Sequence, residues 1–428
     1  MTTIVRCARA LVGGEEQRDF SFAIEGDRIA AVAPFETLQS RFSHAELRSH
    51  GGEVFVAPGL INGHSHAYQI LMRGWADDLS FERWRSDALY KIVPRLTPEQ
   101  IYHTFRLAFD EMLGGGITTV AEFFYLNGAG NAHAEHAIRA AQETGIRLVF
   151  ARTWMDADYA PPAFRETIVQ AAERTRALMS AHPGVHICVA PHSLHAASHE
   201  MIRAAAEFAR SAGCMMHVHV AEAKYEGAQT LERFGKTPIS LLEKLDALNE
   251  RTVAIHAIYI TDEEKRLLAN AGARVIHNPM TNQYLGDGIC DVDGLQSLGV
   301  QMGLGTDADV KPSLIEEMRA ASLLQKVSRL DGSALGARMA LALATTQGAA
   351  ALGVEAGDLR EGAFADYITV DAAGVDPWTP LANALVYRAE NAWVRETYVG
   401  GRRVRTRGDA APQGAAQGLH SLLASLTL

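Results

Sequence analysis

From residue 54 to residue 304 the chain alternates eight times between a short apolar, β-branched run and a polar-faced stretch, and this rhythm most constrains its fold. The strand-like runs are Val54–Ile61, Thr118–Phe124, Arg147–Ala151, Val185–Ala190, Met215–Val220, Thr252–His256, Arg274–His277 and Val300–Leu304. Stretches with helical periodicity lie between them, among them Thr97–Leu113, Ala132–Glu143, Ala163–Met179, His199–Ala212, Pro238–Leu245 and Asp262–Ala271. Strands that are apolar throughout are buried on both faces, as in parallel sheets covered by helices. Thr97-Pro98-Glu99-Gln100 combines an N-cap, a proline at the first helical position and a glutamine able to close a capping box. Gly114, Gly145, Gly213 and Gly272 follow helical stretches, where left-handed C-caps are expected. Eight strand–helix units in order predict an α/β protein built on a (β/α)8 TIM-like barrel. No G-x-G-x-x-G follows a strand, which argues against a dinucleotide-binding sheet.

The two ends have a different texture. Ser21–Val32 reads as a hairpin turning at Gly26-Asp27, and alternating runs return at Asp366–Val370 and Ala392–Val399, the latter followed by Gly400-Gly401. The expected organisation is a small β-sandwich built from residues 1–54 and 358–408, a barrel over 55–357, and a C-terminal tail over 409–428 with a short helix at Leu419–Leu428.

A net charge of −10 argues against sequence-independent binding to nucleic acid or to anionic membranes. No run approaches the ~18 apolar residues of a membrane span. The four cysteines, Cys7, Cys188, Cys214 and Cys290, form no C-x-x-C pair. Reduced thiols and a cytoplasmic location are expected.

In a barrel of this kind chemistry gathers at the C-terminal ends of the strands. Those ends carry His64 and His66, His217 and His219 with Glu222, His256, His277, and Asp307. Residues i and i+2 of a strand share a face, so His64 and His66 project together. His64, His66, one histidine of the fifth strand and Asp307 offer three imidazoles and a carboxylate. That set suits one divalent ion, with Zn²⁺ expected and Fe²⁺ or Mn²⁺ able to use the same donors.

With these motifs in order, Pro58-Gly59-Leu60-Ile61-Asn62-Gly63-His64-Ser65-His66, His219-Val220-Ala221-Glu222, His256 and Gly305-Thr306-Asp307, the chain resembles the mononuclear, deaminase-like branch of the amidohydrolase superfamily over nearly its whole length. The resemblance selects His219 over His217, because only His219 precedes a glutamate by three residues. It implies that Asp307 orients the attacking water and takes its proton. It further implies that His256 polarises the group under attack and that Glu222 carries a proton to a ring or imine nitrogen. The expected activity is that of a hydrolase acting on carbon–nitrogen bonds other than peptide bonds, releasing ammonia from a C=N carbon of a small polar heterocycle or amidine. The same site could instead displace a thiol, halide or alkylamine, as in desulfuration of a thiohydantoin-like ring bearing a carboxylate. Hydantoinase-type hydrolysis is a further alternative, although the fourth strand lacks the lysine that a second metal would need, and a non-catalytic metal-binding barrel is the last.

Within the branch, the segments holding Gln69, Arg85 and Tyr125 are most similar to formimidoylglutamate deiminase, where the equivalent side chains contact substrate. That enzyme has an arginine where this chain has His195, in Pro191-His192-Ser193-Leu194-His195. An imidazole cannot form the bidentate arginine–carboxylate pair, a difference of about 1–3 kcal/mol. Formimidoylglutamate itself is therefore not the expected substrate. Gln69, Arg85, Tyr125, His192 and His195 are the expected substrate-binding residues. Trp75 and Trp84 are expected as core or rim aromatics, His217 as a packed histidine, and Asp309 as a solvated or orienting carboxylate. A small-molecule substrate and a homodimer or larger homo-oligomer complete the expectations.

Overall fold

The computed structural model of the protein describes residues 2–74, 78–308 and 310–411. Trp75, Asp309 and the expected C-terminal helix lie outside the described residues. Eight parallel strands pair in chain order: β1 (Leu60–Ser65), β2 (Ile117–Phe124), β3 (Arg147–Trp154), β4 (His186–Pro191), β5 (Met216–Val220), β6 (Thr252–His256), β7 (Arg274–His277) and β8 (Gln301–Leu304). The circle is drawn together beyond the strand ends. Ser65 and Asp307 form a parallel bridge, His66 N–H donates to the Asp307 carbonyl at 2.8 Å, and the Thr306 and Asp307 N–H groups donate to the His64 carbonyl at 3.0 Å. Every residue of β1 and β2 is buried, as expected of strands wrapped by helices.

Helix signals in the sequence act where they were read. Gln100 N–H donates to Thr97 Oγ1 at 3.3 Å and Thr97 N–H donates to Gln100 Oε1 at 2.9 Å, closing the capping box of Pro98–Gly114. Gly145, Gly213 and Gly272 are left-handed. Gly114 is not: it is the last helical residue, and the left-handed turn falls at Gly116. The Ala163–Met179 stretch also differs. Pro162–Phe164 forms an isolated turn, and the helix Ile168–Ala181 starts afresh where Thr167 accepts from Gln170 N–H.

The two chain ends build one eight-stranded sheet. Its path runs from Arg402–Thr406 through Val394–Val399, Tyr367–Asp371, Val54–Pro58, Thr2–Val12 and Glu15–Glu25 to Arg28–Val32, with Glu46–His50 added beside Thr2–Val12. The expected hairpin is present, with Glu25 opposite Arg28 and Gly26 left-handed. One expected strand is divided. Val54–Pro58 pairs with Tyr367–Asp371 in the end sheet, whereas Leu60–Ser65 opens the barrel. The chain crosses between the sheets at Gly59, where a Cβ would lie 2.1 Å from Thr118 Oγ1. Among the described residues no helix is long and apolar enough to cross a membrane.

Candidate metal centre and active site

Four strand ends converge at one rim of the barrel. His64, at the end of β1, is fully buried, and His66 follows on the same side. His66 Nδ1 lies 2.8 Å from the Phe123 carbonyl on β2, and His219 Nδ1 lies 2.9 Å from the His192 carbonyl after β4. A carbonyl only accepts, so both Nδ1 atoms carry the proton and both Nε2 atoms present a lone pair. Those lone pairs face a common point. His219 Nε2 is 3.2 Å from His64 Nε2, and Asp307 Oδ1 is 3.3 Å from His64 Nε2 and 3.6 Å from His66 Nε2. One donor atom from each of these four side chains lies within 4.8 Å of the others.

This geometry passes the test for a divalent ion. Donors bound at about 2.0–2.1 Å in a tetrahedron stand about 3.3 Å apart, close to the 3.2, 3.3 and 3.6 Å of the three pairs above. A ligand imidazole must also be neutral. Burial, with neighbouring imidazoles adding to it, holds His64 and His219 well below the ordinary histidine range, and burial brings His66 down to about 4. His217, one pleat below His219, is fully buried and stands outside the four-residue group.

A second group overlaps the first. Glu222, His256 and Asp307 also bring one donor atom each within 4.8 Å. His256 Nε2 lies 3.6 Å from Glu222 Oε1 and 3.7 Å from Asp307 Oδ2. Asn278 and Asn282 each place Nδ2 3.2 Å from His256 Nδ1, and Asn282 Nδ2 also donates to Asp287 Oδ2 at 3.4 Å. His256 Nδ1 therefore accepts, and its Nε2 carries a proton aimed at the reacting space. Burial is the main force raising the Glu222 carboxyl well above the usual range, with the Asp287 and Asp307 carboxylates adding to it. Ala221, His256 and Asp307 all have positive φ, at 54°, 76° and 52°. Strain of about 1–3 kcal/mol at each such residue is concentrated where the chain turns off β5, β6 and β8 into this site.

Above the two groups opens a cavity. Gln69, Arg85, Tyr125, His192 and His195 all line it, beside His66, His219, Glu222 and Asp307. Gln69 Nε2 donates to the Tyr125 hydroxyl at 3.1 Å, and its Oε1 has no partner among the described residues. Arg85 is not spent on Asp87, which instead pairs with Arg83 and Lys91. Sequence reasoning missed most of the aromatic wall. Phe81, Tyr90, Tyr159 and Phe164 line the cavity with Trp84. They lie on the segment Phe81–Leu89 and its continuation, and on the loop after β3, where no periodicity marks a pocket. The Phe123 and His192 carbonyls were also invisible, because backbone acceptors leave no trace in residue type.

A barrel whose strand ends bring three imidazoles and a carboxylate together, beside a glutamate whose carboxyl burial pushes upward, has the equipment of a metal-dependent hydrolase. The model of the amidohydrolase family matches residues 55–404, and the chain belongs to that family. It is 32% identical over 357 residues, 82% of each chain, to a 5-methylthioadenosine/S-adenosylhomocysteine deaminase of Thermococcus sibiricus. It is 31% identical over 391 residues to a 5'-deoxyadenosine deaminase of Methanothermobacter thermautotrophicus, covering 89% of this chain and 88% of the relative. A solved adenosine deaminase from Xanthomonas campestris with bound zinc superposes with a TM-score of 0.91 at 25% identity, covering 99% and 98% of the two chains. The protein is thus a hydrolase of carbon–nitrogen bonds in the deaminase manner, acting on a small molecule and built to hold a divalent metal ion.

Proposed function

We propose that the protein deaminates a C=N carbon of a flat heterocycle or amidine that carries a carboxylate, with Zn²⁺ held by His64, His66, His219 and Asp307. The observation that carries the reading is the pair of interlocked groups sharing Asp307 beneath a single cavity. Zinc is supported by the three-imidazole, one-carboxylate donor set at tetrahedral spacing and by the zinc-bound relative. A divalent ion there supplies Lewis-acid activation of water near neutral pH.

The chain's own groups supply the proton traffic. Asp307 Oδ2 accepts the proton of the attacking water. The raised Glu222 carboxyl donates its proton to the ring or imine nitrogen as the carbon becomes tetrahedral. His256 Nε2–H, its tautomer fixed by Asn278 and Asn282, donates to the oxygen that adds to that carbon. The proton taken by Asp307 then leaves with the amine as ammonia, and the proton of the added hydroxyl passes to Glu222 as the carbonyl forms, so both carboxyl groups return to their starting states.

Substrate would be held by the aromatic wall, by Gln69 Oε1 accepting from an N–H, by Tyr125, His192 and His195, and by Arg85 pairing with a carboxylate. A second reading follows from the relatives, which are named for 5'-modified adenosines. A purine ring suits the wall, but among the described lining residues the only carboxylates are Glu222 and Asp307, both at the reacting centre, and Arg85 is the only lining arginine. A carboxylate-bearing substrate therefore fits better than the diol of a ribose. Four free cysteines, three of them buried, support a cytoplasmic, reducing location. The test is a screen of zinc-loaded protein against 5'-modified adenosines, purines, pterins, azoles, triazines and N-formimidoyl amino acids, following ammonia and sulfide. Ammonia from a carboxylate-bearing compound is expected. Turnover confined to neutral nucleosides would contradict the assignment of Arg85, and sulfide release would transfer the site to the desulfurase alternative.

A further inference from the structure

Beyond the catalytic cavity lies a second, solvent-open chamber, in which Glu82, Tyr225, Gln229 and Arg233 are exposed. Arg85, Tyr159 and His195 line both, so a molecule seated at the metal centre and long enough to pass Arg85 would lie against this second surface. The far wall is one face of the helix Lys224–Phe234, which begins two residues after Glu222. Tyr225, Gln229 and Arg233 line the chamber at i, i+4 and i+8, the spacing that places side chains on one helical face. The opposite wall carries Arg85 and Glu82.

The two arginines of this chamber are held alike. Arg85 lies over the Phe81 ring at 5.7 Å and Arg233 over the Phe234 ring at 5.1 Å. Neither guanidinium forms an ion pair among the described residues, whereas nearby Arg83 holds Asp87 and Arg165 holds Asp158. An aromatic face steadies a guanidinium and leaves its in-plane donors free. Among the described lining residues Glu82 is the only carboxylate, beside the two cations Arg85 and Arg233.

We propose that this outer chamber is a second anion subsite, in which Arg233, with Gln229 and Tyr225 beside it, binds a distal carboxylate of the substrate. The substrate class is then a dianion: an amidine or heterocycle whose reacting carbon lies over Asp307, with one acidic group at Arg85 and a second at Arg233. The inference rests on the deaminase reading for the identity of the reacting end and refines its substrate. Arg233 touches the distal group and not the reacting atoms, so it governs selection rather than chemistry.

The test uses the full, zinc-loaded chain and defined probes. Butyrate and the α,ω-dicarboxylates succinate, glutarate and adipate are titrated calorimetrically into the wild type, Arg233→Gln and Arg233→Lys. The best-fitting dicarboxylate is expected to bind about tenfold more tightly than butyrate, the scale of one partly exposed charge-assisted bond. Arg233→Gln removes that advantage and leaves butyrate unchanged, whereas Arg233→Lys retains part of it. The proposal is overturned if no dicarboxylate exceeds butyrate, or if the advantage survives in Arg233→Gln, which would assign the extra affinity to the metal centre or to Arg85 alone. Ammonia release by the same preparations scores the deaminase reading separately. Its absence would sink that reading without touching the subsite, and its presence without a dianion preference would sink the subsite alone.

Discussion

Replacing Glu122 by glutamine tests whether the metal ligands are held by a buried carboxylate on the neighbouring strand. Glu122 lies on β2 and is fully buried. Its Oε2 accepts from Ser65 Oγ at 3.1 Å and from Ala67 N–H at 2.9 Å. Ser65 stands between His64 and His66, and Ala67 follows directly, so one oxygen clamps the turn that presents two ligands. Glutamine keeps the shape and can keep both contacts, but its acceptor is neutral. Bonds to a charged group contribute about 1.5–3 kcal/mol and neutral ones about 0.5–1.5 kcal/mol, so each contact weakens by about 1 kcal/mol. Two contacts give about 2 kcal/mol, or about thirtyfold in metal affinity. That lies within the tenfold to hundredfold range typical of groups that orient metal ligands. The assay is zinc affinity by chelator competition, with thermal melting of the metal-free protein alongside. An affinity within about twofold of wild type, with the loss appearing only in the melting of the metal-free protein, would refute the reasoning.

Glu222→Gln removes the proton donor and none of the four metal-holding side chains. It should keep one ion per chain by elemental analysis while lowering kcat by about 10²–10⁴, and retained turnover would remove Glu222 from the mechanism. Arg152 is fully buried and donates to Glu166 at 2.7 and 2.8 Å, with Arg174 as the second partner of that carboxylate. Arg152→Met should cost about 3 kcal/mol in denaturant unfolding, the low end for breaking a buried pair, because Arg174 remains; an unchanged midpoint would contradict it. Acid should destabilise the metal-free protein. Burial brings His66 and His195 down to about 4 and His217 and His277 down to about 3, against 6.5 for an unperturbed histidine. The unfolded chain then binds more protons below pH 6.5, so stability falls from there toward pH 4, by up to about 1.4 kcal/mol per pH unit for each such histidine. The raised Glu222, Glu226 and Asp287 carboxyls act in the opposite direction but are fewer. Equal denaturant midpoints at pH 7 and pH 5 would contradict this balance.

The features legible in the sequence were those written in side-chain period and type. Alternating apolar runs placed seven of the eight barrel strands to within a few residues, and histidines or a carboxylate at their ends marked the site because such groups are costly to bury without a purpose. Asn278 and Asn282 follow β7, and their bond to His256 needed β6 and β7 to be neighbours in space. The break at Gly59 was hidden because Val54–Pro58 and Leu60–Ser65 are buried alike, so no polar residue marks the passage between sheets. The helix before β4 was drawn too early because Ala163 and Phe164 look helical, whereas the capping box at Thr167 decides where the helix starts. Arg233 carried no signal in sequence. Its place in a chamber appears only when the helix Lys224–Phe234 faces the segment Phe81–Leu89 across the mouth of the site.

On the proposed mechanism one metal ion, held at the shared Asp307 site, drives displacement of ammonia from a C=N carbon. The most direct measurement is ammonia release against metal content in one set of preparations, from chelator-stripped to fully zinc-loaded protein, with His219→Ala as control. Release should rise in proportion to bound zinc, saturate at one ion per chain and be lost in His219→Ala. Ammonia release that persists in the stripped protein, or full occupancy of the site with no ammonia from any C=N compound in the screen, would contradict it.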